Sequence, residues 1–429
     1  MKKFLVIFLA VAAIIATIVV FHGCSNEPPK KLRLMYWGDV QEIKIITEMV
    51  AKFEKDTGIT VSAERAPSGP PYMEKVLTQL AGGNAPDVLF VEVNNFKSFA
   101  DKGVLEDLAP YIATDPELKM KDFYPEIIDR FTVDNKLYVL PRDIAPICVV
   151  YYNKKMFDKA GVKYPTDDWS WPDGFLKIAK KLTKKDANGR ITQYGFVDDW
   201  PIWEAFMYSN GGAMVDNVKK PTKCVLDSKE TIDAVQFRAD LANKYNVCPS
   251  PSQLTSMGGM GTADMFTSGK VAMFFSGIWK TPMFRDIKNF KWDVVMFPKG
   301  PKGKRAFPTG GSGYAVTKMS KNKKMAWKLI TYLAGKVGQE KLAQTGLAQP
   351  AMMSVAESKY FLDSQPPKHK DIVLKGVKYV VFVPLMSEWE EINVGTIAPR
   401  YDKIWNGKET AEKVIKEMVP DINEEYFKK

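Results

Sequence analysis

What most limits the folds open to this chain is an alternation. From residue 32 to residue 318, short runs rich in β-branched and aromatic residues take turns with stretches whose apolar residues recur at helical spacing. "LRLMYW" (32–37) reads as a strand ending in a polar turn. "QEIKIITEMVAKFEKDTG" follows as a helix with Ile43, Ile46, Met49, Val50 and Phe53 on one face and Gly58 as its stop. "ITVSAE" and "DVLFVE" continue the strands, and "PYMEKVLTQLAGG" and "NNFKSFADKG" continue the helices. A second block opens at "PICVVYYNKKMFDKAG" (146–161). It carries the helices "WPDGFLKIAKKLTKK" and "SKETIDAVQFRADLANKY", then returns to strand in "KVAMFFSGIW", "KWDVVMFPKG" and "GGSGYAVTK". After Lys318 the pattern is almost wholly helical. Alternation of this kind predicts α/β sheets with helices on their faces, and about 400 residues suffice for two domains or one two-lobed unit.

Ahead of that pattern stand Lys2 and Lys3, then 18 apolar or small residues (4–21) without a charge, then Gly23-Cys24-Ser25 and the polar "NEPPKK". A basic start and an apolar run ending near small residues describe an export signal, although a run of this length is also just long enough to span a membrane. The cysteine separates the two readings. Its setting resembles the lipobox of bacterial lipoproteins, where a peptidase cuts before the cysteine and the sulfur is acylated. Phe21 and His22 stand where that motif usually has Leu and a small residue. The expectation is a signal peptide over 1–23, a lipidated Cys24, and a tether over 24–31. The exported protein would be held at the membrane, facing the periplasm or the cell exterior.

Several chemistries lack their residues. Without Lys2 and Lys3 the formal net charge falls from +11 to +9, and the excess is lysine, with only nine arginines in the chain. Nucleic-acid recognition leans on arginine's planar fork, so no nucleic-acid partner is expected. Outside the leader the one histidine is His369, in the loop "SQPPKHK". A catalytic triad or zinc site commonly needs a positioned imidazole, so neither is expected, nor a cofactor or metal. A glycosidase, needing only two carboxylates, stays open as an alternative. "PTGGSGYAV" (308–316) reads as a Gly-rich turn before a strand, with an anion cradle as the alternative. Cys148 reads as a buried free thiol. Cys224 and Cys248 flank one helix and form a possible disulfide, permitted by export.

Tryptophan is the more informative residue. Trp37 leaves a strand beside Gly38 and Asp39, Trp200 and Trp203 lie in "DDWPIWEAF", and Trp279 follows a Gly turn. An indole beside carboxylates and amides suits sugars, because the ring covers C–H faces while polar groups take hydroxyls. Trp292, Trp327 and Trp405 read as core residues.

The order of segments from about residue 32 onward resembles the family 1 extracellular solute-binding proteins of bacterial ABC importers, relatives of maltose-binding protein. The residues that carry the resemblance are the P-D-V strand and G-x-L-x-x-L of "GGNAPDVLFVEVNNFKSFADKGVLEDLAPYI", the crossing strand and Y-N-K turn of "LPRDIAPICVVYYNKKMFDKAGV", the G-x-x-A-M and G-x-W of "GKVAMFFSGIW", and the G-G-x-x-x-A-V of "PTGGSGYAVTKMSKNKKMAWKLITYLAG". The resemblance implies an α/β two-lobed, type II periplasmic-binding-protein fold with a helical C-terminal region. The N-terminal lobe would hold 32–144 plus 297–347, and the C-terminal lobe 145–296 plus 348–429. Crossing segments would fall near 142–148, 294–298 and 345–351. It further implies a monomeric receptor, not an enzyme, that closes on a hinge around a sugar or oligosaccharide and presents it to permease subunits; a surface polysaccharide-capture module is a second alternative. The implied ligand contacts are Trp37, Asp39, Asn94, Asn95, Asp143, Trp200, Trp203, Glu204, Trp279, Gly311, Ser312, Trp389 and Arg400. Asn94 and Asn95 stand where maltose-binding relatives carry an acidic and a basic residue, and Pro146 where a glutamate aligns, which argues against maltodextrin specificity.

Overall fold

Residues 31–428 are described by the structure, a computed structural model. Cys24 and the apolar leader lie outside the described residues. The first described element is β1 (Lys31–Tyr36), and the helix Val40–Thr57 follows it. Asp39 starts this helix by accepting from the backbone N–H groups of Gln41 and Glu42, both at 3.0 Å, and Gly58 ends it in the left-handed conformation. The helix buries Ile45, Ile46, Met49, Val50 and Phe53, so Ile45 takes the place expected for Ile43, which is half-buried.

Onward from there come β2 (Thr60–Arg65), β3 (Val88–Glu92), β4 (Thr132–Val133), β5 (Lys136–Leu137), β6 (Leu140–Pro146) and β7 (Val149–Asn153). The later strands are β8 (Lys184–Lys185), β9 (Ile191–Asp198), β10 (Val271–Ser276), β11 (Trp292–Met296), β12 (Phe307–Val316) and β13 (Val380–Val381). Two large sheets result. The first has the order β13-β12-β3-β1-β2, with β6 on β12; the second has the order β11-β7-β10-β9-β8. β1 is parallel to β2 and β3, whereas β12 runs antiparallel to β3 and β6. Each sheet is sandwiched by helices, as the near-continuous burial of β3, β7, β10 and β11 requires.

Chain passages between the sheets create the site. β6 belongs to the first sheet and β7, three residues on, to the second; β11 and β12 make the return journey. A further segment runs alongside β6, with Ile144 N–H donating to Gln349 O and Ala351 N–H to Arg142 O, both at 3.2 Å. Residues 142 and 143 therefore sit where chain crosses between sheets.

Trp292, Trp327 and Trp405 are buried, as expected, and Cys148 is a fully buried free thiol. The disulfide expectation fails: Cys224 and Cys248 are both free. Cys224 N–H donates to Asn423 Oδ1 at 2.8 Å, whereas Cys248 N–H donates back to Leu241 O at 3.2 Å, so the two are held by different neighbours.

Candidate functional site

A cavity of about 610 Å³ opens between the two sheets. Trp37, Asp39, Glu42, Glu92 and Asn94 contribute from the first sheet's side; Asp199, Trp200, Glu204, Trp279 and Lys280 contribute from the second. Arg142, Asp143, Gly311 and Ser312 form the crossing region, and Trp389 and Asn393 come from the late helical segment.

Local geometry explains how each indole reaches the cavity. Trp37 is held by Phe90, ring edge to face, with centroids 5.7 Å apart. The apolar run of β10 stops at Ser276, and a tight turn through Gly277 carries Trp279 back over the chain. A Cβ on Gly277 would lie 1.9 Å from the Trp279 ring, so only glycine lets the indole fold over that point. Trp279 then stacks on Trp200 with centroids 6.2 Å apart and planes within 6° of parallel. Trp200 is 41% exposed, a broad apolar face left uncovered by the protein itself.

Arg142 is the electrostatic centre. Its Nε donates to Asp143 Oδ2 at 2.8 Å and to Ser312 Oγ at 2.9 Å, its Nη2 donates to Glu42, and its guanidinium lies 4.5 Å from the centroid of the Phe90 ring. Burial works against its charge, but Glu42 and Asp143 more than offset this and hold its pKa above the ordinary range. Asp143 also accepts from Ser312 N–H at 3.0 Å and from its Oγ at 2.6 Å. A register shift between Ser312 and Gly313 makes this possible, turning β12 so that Ser312 faces Asp143 across the pair. On the opposite wall, Asp199 accepts from Ser276 Oγ at 3.0 Å and pairs with Lys280 at 3.1 Å.

Two carboxyls stand apart from these pairings. Burial, reinforced by nearby Glu42 and Asp143, pushes Glu92 up to about 8. Burial likewise pushes Glu204 up to about 7, against a hydrogen bond from its own backbone N–H, and its Oε2 has no partner among the described residues.

Ten of the thirteen contacts implied by the resemblance line this cavity: Trp37, Asp39, Asn94, Asp143, Trp200, Glu204, Trp279, Gly311, Ser312 and Trp389. The other three point elsewhere. Asn95 is buried and its Oδ1 accepts from Glu92 N–H at 3.0 Å, closing the turn after β3. Trp203 starts the helix Trp203–Asn210 and packs inward, edge to face, on Tyr401. Arg400 is tied to Asp421 on the surface at 2.7 Å. Ser312 sits on the wall, but its N–H and Oγ–H are already given to Asp143.

The sequence reading missed Glu42, Glu92, Arg142, Asp199, Lys280 and Asn393. A signal existed for Arg142, since adjacent charges inside the apolar strand "LPRDIAP" need a reason. For Glu92 the signal was a carboxyl ending the otherwise apolar strand "VLFVE".

Residues 48–366 match the family model described as "Bacterial extracellular solute-binding protein". An ABC substrate-binding protein from Listeria monocytogenes, solved in complex with cycloalternan, is 30% identical; the match covers 92% of this chain and 98% of that one, with a TM-score of 0.82. The maltodextrin-binding protein MdxE of Bacillus subtilis is 24% identical over 398 residues, covering 89% of this chain and 88% of that protein. The galactooligosaccharide-binding protein of the same organism is 24% identical over 350 residues, covering 80% and 78% respectively. Fold, cavity between sheets and family match agree: the chain belongs to the bacterial extracellular solute-binding proteins.

Proposed function

We propose that this protein is the receptor of a bacterial ABC importer and that its cavity takes a sugar or short oligosaccharide. The observation that carries the reading is the placement of Trp37, Trp200, Trp279 and Trp389 around one cavity whose remaining wall is carboxyl, amide and hydroxyl. Flat apolar faces cover the C–H surface of a sugar ring and convergent polar groups bind its hydroxyls. Relatives named for oligosaccharides, and the Listeria protein in complex with cycloalternan, support the same class.

In this reading the lobes are 32–144 plus 297–347 and 145–296 plus 348–429, and ligand draws them together about the crossing segments. A sugar shifts that equilibrium only through better contacts with the closed form. The closed monomer delivers its solute to permease subunits and catalyses nothing. Asp143, the carboxyl that a glycosidase would need free, is saturated by Arg142 and Ser312. Lipidation of Cys24 keeps the receptor near its permease.

Calorimetric titration of the purified protein against mono- and oligosaccharides tests the proposal. Binding of a sugar is the expected outcome; no sugar bound, with tight binding of a peptide or a polyamine, overturns it. Metabolic labelling with a fatty acid, lost in Cys24→Ala, tests the anchor.

A further inference from the structure

The cavity contains more acid than the protein neutralises. Six carboxyls line it, Asp39, Glu42, Glu92, Asp143, Asp199 and Glu204, against two cations, Arg142 and Lys280. Four of the six are accounted for. Glu42 and Asp143 share Arg142, Asp199 has Lys280, and Asp39 caps a helix. Glu92 and Glu204 form no ion pair and accept no side-chain hydrogen bond among the described residues, the buried Oε2 of Glu204 has no partner at all, and Arg142 beside Glu92 is already given to Glu42 and Asp143; the two carboxyls stand on opposite walls of the same cavity. A buried carboxyl without a partner is costly, so in a binding site the missing partner is expected from the ligand. Neutral hydroxyls would supply donors without charge. An ammonium supplies both, and the exposed indole faces beside these carboxyls attract cations as well as C–H faces.

We infer that Glu92 and Glu204 determine specificity by selecting a sugar that carries a protonated amine over its neutral hydroxyl counterpart. The inference rests on the sugar reading and narrows it. Each carboxyl that binds the ammonium gives up its proton to solvent, so binding releases protons: the protonated acid and the ammonium sugar become an ion pair plus a free proton. The groups facing Glu92 are Glu42 on the helix Val40–Thr57, Tyr72 on the helix Pro70–Ala81, Arg142 and Asp143 on β6, and Glu390 beside Trp389. Those around Glu204 are Asp198 at the end of β9, Tyr208 on its own helix, and Tyr401. Asp198 is itself paired with Arg238, so Glu204 gains no cation from it.

The test is calorimetry on the full chain at pH 6.0, where an amino sugar is almost wholly ammonium and both carboxyls still hold their protons, in two buffers of different ionisation enthalpy. The panel is glucosamine, galactosamine and mannosamine and their disaccharides, each beside its hydroxyl and N-acetyl counterpart, with spermidine added. At least one amino sugar should bind about tenfold or more tighter than its hydroxyl counterpart, the worth of one charge-assisted hydrogen bond. Its binding should release protons, and Glu92→Gln or Glu204→Gln should shrink the preference to within about twofold. Hydroxyl sugars that bind as well as or better than every amine counterpart, or amine binding without proton release, overturn the inference and leave the sugar reading intact. No sugar bound in any arm, with or without spermidine binding, brings down the sugar reading and this inference with it. Proton release is read on the wild type, so the inference stays testable if a Gln variant fails to fold.

Discussion

Glu92 is fitted for recognition at the expense of stability. Its folded value of about 8 lies above the ordinary 4.5, so the folded state holds the proton more tightly than the unfolded chain does. The contribution of Glu92 to stability therefore falls as pH rises from about 4.5 through 8, because over that window the unfolded state gives up its proton first. Glu92→Gln removes that slope. Thermal or urea unfolding at pH 5 and pH 8.5 should show the wild type losing on the order of 3 kcal/mol more than the variant between the two. Identical pH dependence in the two proteins would show that Glu92 titrates normally. Single residues were the hardest scale to read from sequence. Asn94 and Asn95 are neighbours in the chain, yet one faces the cavity and the other is spent on the turn. Trp200 and Trp203 are three apart, but Pro201 and Ile202 bend the chain between them, leaving one indole exposed and the other in the core.

At the level of elements, alternation and periodicity carried further, since strand and helix periods are set by backbone geometry that every local stretch obeys. Strands β1, β2, β3, β7, β10 and β11 and the helices between them fall where the pattern places them, whereas β12 runs as strand through the Gly-rich stretch that reads as a turn before it. What the pattern omits is irregularity. The register shift in β12 and the π-turn Glu391–Ile397, which carries Asn393 onto the cavity wall beside Trp389, follow from tertiary contacts and leave no periodic trace. Two glycines test these irregular points in opposite ways. Gly313 lets β6 approach so closely that an added Cβ would lie 2.2 Å from Leu140 O, a backbone atom fixed by the sheet. Gly313→Ala should cost about 3 kcal/mol in denaturant unfolding; a cost near zero would mean that β12 and β6 separate easily. Gly277 has φ −93° and ψ 179°, extended backbone that alanine adopts freely, and its clash is with the Trp279 ring alone. Gly277→Ala should therefore leave stability within about 1 kcal/mol while weakening ligand binding about tenfold, through displacement of one stacking face. Calorimetry and unfolding of the same variant check both halves, and unchanged affinity would remove Trp279 from the ligand's platform.

For the whole molecule, two blocks of alternation were enough to indicate two sheets, whereas the way the lobes meet depends on contacts between residues far apart in sequence. Arg130 is one such contact. Buried on the helix Pro125–Arg130, it donates to Val93 O at 2.8 Å and to Val383 O at 2.9 Å, tying the turn after β3 to the loop after β13. Lys219, in the loop before the helix Lys229–Asn243, reaches Asp129 on the helix Pro125–Arg130, 2.7 Å away. Val40 and Val394, which adjoin the cavity residues Asp39 and Asn393, are 80% and 44% exposed. If ligand closes the lobes about the crossing segments, Val40 and Val394, which belong to different lobes, move together. The three described cysteines are buried, so labels added at Val40→Cys and Val394→Cys would modify those positions selectively. Pulsed electron resonance between two such spin labels should give a broad distance distribution in the ligand-free protein. A saturating sugar should collapse it to a shorter, narrower one, as selection of one closed state demands. A distribution unchanged by a sugar that calorimetry shows to be bound would mean that this protein recognises its solute in a preformed cleft.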